Sequence, residues 1–253
     1  MTFKYYFLII AAVFSISSCK DSQPHLTQIK GYRIAITDSL KTDFEIDDFI
    51  TPFREHINDD LNEVLAYAPE TYSKDDGQLN SSLGNFMADA VYNRANPIFK
   101  SRTGNNIDMV ILNHGSIRGV ISKGDITKRT AYNVMPFENS LVVVALKKQQ
   151  LDKLVTYLAK LKKAHPISKL KILIDDNYEV VKVTINNNKI LADKIYYVCT
   201  NDFLYNGGDD MTFFQPNNGL YVLNYKVRNA LIDTFTDQDT INSMVDDRFI
   251  QIK

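Results

Sequence analysis

The chain has little cysteine. Only Cys19 and Cys199 occur in 253 residues. Cys19 belongs to the expected leader, so Cys199 has no intramolecular disulfide partner. An exported chain of this kind must be held together by its core alone. Cys199 lies in the apolar run Ile195-Tyr196-Tyr197-Val198-Cys199-Thr200, which reads as a strand, and its thiol is expected to be buried and inert. Histidine is also scarce: His25, His56, His114 and His165. None stands in an Asp-x-His pair or a Gly-His-x-His run, so no ligand set for a metal pair is visible and no metal residue is assigned. Neither charge dominates, with 29 Lys and Arg against 30 Asp and Glu. Without a basic patch, no nucleic-acid partner is expected. Phosphate-loop and dinucleotide fingerprints are missing. Ser116 has no Gly-x-Ser-x-Gly elbow around it, and Cys199 has no evident base, so no catalytic residue is assigned.

The long apolar run needed to span a bilayer is missing as well. Tyr5 to Phe14 is apolar and follows Lys4, but it is too short to cross stably and reads as the core of a signal peptide. Ile16-Ser17-Ser18-Cys19 resembles a bacterial lipobox. Residues 1–19 are therefore expected to be a lipoprotein leader, with Cys19 lipidated as the mature N-terminus. Acyl chains there would anchor the protein to a bacterial cell membrane, on its periplasmic or outer face, since each buried CH₂ contributes about 0.8 kcal/mol. Residues 20–30, broken by Pro24, read as a tether.

Residues 31–253 then form the folded part. Their pattern alternates between strand and helix with no Pro/Gly/Ser-rich linker, which predicts a single α/β (α+β mixed) domain with helices layered on mixed sheets. Arg33 to Thr37 alternates weakly, as a first strand would. From Ile46 to Tyr67 the apolar residues fall at helical spacing, with Thr51 as N-cap before Pro52. Residues 69–80 read as a polar loop, and Leu83–Ala95 as a second helix. Asp108–Leu112 and Leu141–Leu146 read as buried strands. Gln150–Lys163 is an amphipathic helix with Leu151, Leu154, Val155, Leu158 and Leu161 inward. Lys171–Ile174 and Glu179–Ile185 are expected to pair. A helix over Asn224–Phe235 and a strand over Phe249–Ile252 close the chain.

Three segments carry chemistry. Asn201 to Asp209, Asn-Asp-Phe-Leu-Tyr-Asn-Gly-Gly-Asp, follows the Ile195 strand. Its glycines permit positive φ and close approach. Phe203 offers a flat apolar face, and Asp209 offers an acceptor; a base and a sugar hydroxyl need that combination. Met135-Pro136-Phe137-Glu138-Asn139-Ser140 is a stiff turn at another strand mouth. Phe137 and Phe203 can sandwich a planar base, a contact worth ~1–3 kcal/mol per base. Asn113-His114-Gly115-Ser116-Ile117-Arg118 follows a third strand. Arg118 can fork onto a phosphate or carboxylate, or pair within the fold. Asn113 is either a ligand contact or a turn residue capping nearby backbone.

These segments, with Gly84-Asn85-Phe86-Met87-Ala88-Asp89-Ala90 and Gly124-Asp125-Ile126-Thr127, occur in one order. Together they resemble the C-terminal, substrate-binding domain of the 5′-nucleotidase family over about residues 33–250. The resemblance implies that Phe137 and Phe203 stack on the base, that Asn139 contacts it, that Asp209 holds the ribose and that Arg118 meets polar groups of the substrate. It also implies a metallophosphatase domain with two metal ions, which is not seen in this sequence. The expected function is the nucleotide- or nucleoside-recognising half of a 5′-nucleotidase-type hydrolase in nucleotide catabolism. Divalent metals would be carried by a separate metallophosphatase chain, with no cofactor in this one. The alternative is a non-catalytic nucleoside- or nucleotide-binding lipoprotein. Two departures from the family pattern stand out. Residues 72–78 hold Lys74 but no arginine, and His114 replaces a small residue.

Overall fold

A computed structural model describes residues 26–252. The leader and Cys19 lie outside the described residues. Two compact units divide the chain, Met1–Phe49 and Ile50–Lys253. In the first, residues 26–43 hold no helix or strand. The expected strand over 33–37 is therefore absent, and both Ile34 and Ile36 are exposed.

Helix α1 (Phe44–Leu61) crosses the boundary between the units. It starts earlier than the Pro52 signal predicts. The Asp43 carboxylate accepts the N–H groups of Glu45 (3.1 Å) and Ile46 (3.3 Å), which makes Asp43 the cap in place of Thr51. The helix also ends sooner than its apolar spacing suggests. Val64 and Leu65 continue that spacing, yet they belong to β1 (Val64–Ala68), which pairs antiparallel with β3 (Gly124–Thr127). No residue of α1 is buried, so the apolar stripe does not identify a core helix. No helix of the described residues is long and apolar enough to cross a membrane.

The second unit is built on a five-stranded sheet ordered β5-β2-β8-β4-β9. Its strands are β2 (Met109–Ile111), β4 (Ser140–Leu146), β5 (Ile167–Ser168), β8 (Tyr196–Asn201) and β9 (Leu220–Lys226). β2 and β8 run parallel, and β4 runs antiparallel to both β8 and β9. Apolar residues fill both faces, which explains the unbroken run Leu-Val-Val-Val-Ala-Leu in β4. Leu141 and Val143 enter one core with Val110 and Cys199. Val142, Val144 and Leu146 enter the other with Met109, Ile111 and Val198. Cys199 is fully buried, and burial pushes its thiol pKa up, as an inert core thiol requires.

Helix α2 (Ser82–Thr103) covers the first face with Leu83, Met87, Val91 and Phe99. It runs eight residues past the predicted end, through Pro97, and stops at Gly104 with φ 77°. Helix α3 (Lys128–Val134) follows β3, and α4 (Lys148–Leu161) covers the second face through Leu151, Leu154, Val155 and Leu158. Leu161 is only half-buried. β6 (Leu170–Ile174) and β7 (Val180–Ile185) pair as predicted and are joined by β10 (Phe249–Gln251). A short helix, α5 (Asp202–Tyr205), follows β8. Helix α6 begins at Val227 and runs to Asp237. The first residues assigned to it by spacing belong to β9, whose apolar Leu220 and Val222 are exposed at the sheet edge.

Candidate functional site

The topology brings the predicted segments to one end of the large sheet. β2 and β8 are parallel, so their C-terminal ends lie together. β4 is antiparallel to β8, with Leu141 opposite Asn201, so its N-terminal end joins them. The turn before β4 carries Phe137. The segments after β2 and β8 carry Arg118, Phe203 and Asp209. Such strand ends are where open α/β sheets gather ligands.

Two buried asparagines hold the strand ends together. Asn201 Nδ2 donates to Asn113 Oδ1 at 3.2 Å, while Asn201 Oδ1 accepts the Leu204 N–H at 2.9 Å and so caps α5. Asn113 is 5% exposed, and its carbonyl accepts the Ser116 hydroxyl at 2.7 Å. Its side chain thus ties the two strand ends together and makes no capping hydrogen bond to nearby backbone. Asn201 was missed as a structural anchor, although its place just before a short aromatic helix is a capping signal.

Phe203 is 44% exposed and Phe137 41% exposed. Neither ring stacks on another aromatic ring among the described residues. Asp202 links their supports: its carboxylate accepts the Ser140 N–H at 3.1 Å, three residues after Phe137, and the Phe203 N–H at 2.9 Å. The two glycines have different tasks. Gly207 takes φ 91°, the positive value expected of it. Gly208 lies under the Phe203 ring, where a Cβ would come within 2.4 Å of a ring carbon.

The Phe137 turn rests on a residue that sequence reasoning missed. Arg228, from the first turn of α6, is buried. Its Nη1 donates to the carbonyls of Met135 (3.3 Å) and Phe137 (3.4 Å), and its Nη2 pairs with the Glu138 carboxylate. The guanidinium also lies 4.1 Å from the centre of the Tyr132 ring. The hydrogen bond and charge of Arg228 hold the Glu138 carboxyl below its ordinary pKa. Asn139 is half-buried, and its carbonyl accepts the Val227 N–H at 3.0 Å. A buried arginine 91 residues beyond the turn leaves no local sequence signal.

Arg118 is exposed, and its guanidinium makes no hydrogen bond or ion pair among the described residues. The internal salt bridge considered for it is not present there. Lys74 sits beside it, with its ammonium donating to the Ile117 carbonyl at 3.0 Å. A cation from the loop over residues 69–80 therefore reaches the Arg118 segment despite the missing arginines.

Asp209 has φ 52°, and its carbonyl accepts the Tyr157 hydroxyl at 2.7 Å. It lines a cleft of about 260 Å³ with Asp210, Tyr157, Lys163, His114 and His165. His114 faces the Asp75 carboxylate at 3.4 Å. Burial, then the nearby Lys74, lowers the His114 pKa against the pull of Asp75. His165 is 3% exposed, and burial pushes its pKa down to about 4, so its ring is neutral at pH 7. Among the described residues no three His, Cys, Asp or Glu side chains converge as metal ligands. These residues do not fit a two-metal centre.

The fold defines a class: a mixed α/β domain in which the segments bearing the exposed Phe137 and Phe203, Arg118 and Asp209 leave one end of the large sheet. Residues 63–216 match the profile of the 5′-nucleotidase, C-terminal domain. The chain belongs to the 5′-nucleotidase family, as a C-terminal domain. It is 30% identical over 190 residues to a trifunctional nucleotide phosphoesterase protein of Bacillus subtilis, covering 64% of this chain and 12% of that protein. A cell wall protein of Listeria monocytogenes is 31% identical over 172 residues, covering 59% of this chain and 20% of the other. The chain thus spans a fifth or less of the length of these relatives. Among solved structures, a 5′-nucleotidase precursor from Thermus thermophilus superposes with a TM-score of 0.68 at 22% identity, covering 83% of this chain and 43% of the other. That likeness is one of fold.

Proposed function

We propose that this chain is the nucleotide- or nucleoside-recognising half of a 5′-nucleotidase-type phosphoric monoester hydrolase. The observation that carries the reading is that Phe137, Phe203, Arg118 and Asp209 stand on segments that leave the same end of the large sheet, with both phenylalanine rings exposed. In this reading Phe137 and Phe203 stack on the base, Asn139 contacts its edge, and Asp209 accepts from the sugar. Arg118, helped by Lys74, faces the phosphate as a fork that a carboxylate does not already occupy. Hydrolysis of this type uses divalent metals, and in this reading a separate metallophosphatase chain carries them. Export and lipidation at Cys19 would place the domain on a membrane surface. Its likeness to a cell wall protein supports export.

Calorimetry with adenosine and AMP tests recognition. Phe137→Ala and Phe203→Ala should each weaken both ligands by ~1–3 kcal/mol. Arg118→Ala should weaken AMP while leaving adenosine nearly unchanged. Equal loss of both ligands would remove Arg118 from the phosphate site. Mixing with a candidate metallophosphatase and metal should raise phosphate release from AMP. Tight nucleoside binding with no gain from any such partner would favour the non-catalytic binding lipoprotein instead.

A further inference from the structure

His165 lines the cleft beside Asp209, and one of its buried polar atoms is left unused by the fold. His165 is 3% exposed, and its Nε2 has no hydrogen-bond partner among the described residues. Native structures seldom leave such an atom without a reason. The other ring nitrogen is held from behind. Nδ1 lies 3.3 Å from the His114 N–H and 3.2 Å from the Leu112 carbonyl, a donor and an acceptor. Either tautomer satisfies one of them, and either leaves Nε2 over, on the opposite side of the ring. Tyr157 sets a ring edge-on at 6.1 Å and fixes the orientation further.

A hydroxyl suits this atom because it donates or accepts as the tautomer demands. Asp209, in the same lining, carries a carboxylate that can accept from a second hydroxyl. At about 260 Å³, the cleft is below the roughly 300–1,000 Å³ that holds a whole drug-sized ligand. It suits a pentose, with the base outside. The Phe203 ring is the nearest platform for that base along the chain. Gly208 backs the Phe203 ring, and the next residue, Asp209, lines the cleft.

We infer that His165 is a second sugar-contacting residue, whose Nε2 pairs with a pentose hydroxyl beside Asp209. This rests on the nucleoside reading above. The burial that keeps the imidazole neutral also removes competition from a fixed charge.

The test uses the full chain with ¹⁵N-labelled histidine, adenosine and 2′,3′-dideoxyadenosine. On adenosine binding, the Nε2 resonance of His165 should move; with the dideoxy ligand it should stay. By calorimetry, His165→Asn keeps a polar group near Nδ1 and removes Nε2. It should reduce the preference for adenosine over the dideoxy ligand by about fivefold, the worth of one hydrogen bond. His165→Gln should restore part of it. The labelled wild-type protein answers the question even if neither variant folds. A silent Nε2 while adenosine binds, or an unchanged preference in a folded His165→Asn protein, overturns the inference and leaves the base-stacking reading standing. Wild-type protein that binds neither ligand overturns both.

Discussion

At the residue scale, Gly208 separates two roles that a Gly-Gly pair can play. Gly207 supplies a left-handed turn, and Gly208 supplies space for a ring. The first role is legible in sequence, because positive φ is what glycine offers. The second depends on where Phe203 folds back, which no local pattern states. Gly208→Ala should therefore displace the half-exposed ring rather than the backbone. Its thermal midpoint should stay close to wild type, while its adenosine affinity should fall about as far as in Phe203→Ala; unchanged affinity would mean the ring position is unimportant. His165 gives a second prediction. Its folded pKa of about 4 lies below the ordinary histidine value near 6.5. The unfolded chain thus binds the extra proton first, and stability is lost as pH falls from about 6.5 towards 4. Full protonation of this one group would cost on the order of 3 kcal/mol. Urea melts at pH 7 and pH 4.5 should show the loss, and His165→Asn should show less of it. Equal pH slopes in the two proteins would contradict the buried neutral ring.

At the scale of elements, periodicity identified what the cores bury and misjudged what they do not. The strands over Asp108–Leu112 and Leu141–Leu146 and the helix after Gln150 were legible because both sheet faces demand apolar residues there. The stripe from Ile46 to Tyr67 was misleading because helical spacing continued into a strand that finds its partner in β3, 60 residues on. The last three residues of β9, Asn224–Lys226, were read as the start of a helix because the strand's alternation is short and half-exposed. The Phe137 turn was legible from Pro136 and the aromatic, but its support was not. Arg228 reaches the turn from α6 by tertiary contact alone. Arg228→Met keeps the length and removes the donors. It should destabilise the fold by about 1–3 kcal/mol in urea melts, since two carbonyls and a carboxylate lose a partner. It should also weaken adenosine binding, because Phe137 loses its fixed base. Full affinity in a folded Arg228→Met protein would show that the turn holds itself.

At the scale of the whole molecule, the candidate site draws its residues from distant segments of the chain. Five ordered motifs implied the fold and family, and the sheet order explains why three of them belong together: Asn113–Arg118, Pro136–Asn139 and Asn201–Asp209 adjoin three strand ends that lie side by side. What the sequence concealed was the shared scaffolding, the buried Asn113–Asn201 bond and the Tyr157 hydroxyl on the Asp209 carbonyl. The central claim is that Phe137 and Phe203 form a single base-binding place at that sheet end. A crystal structure of the adenosine complex measures this directly. The account predicts the adenine ring stacked on both phenylalanines, with the ribose in the Asp209 cleft. Adenosine bound elsewhere, or on one ring with the other turned away, would contradict it.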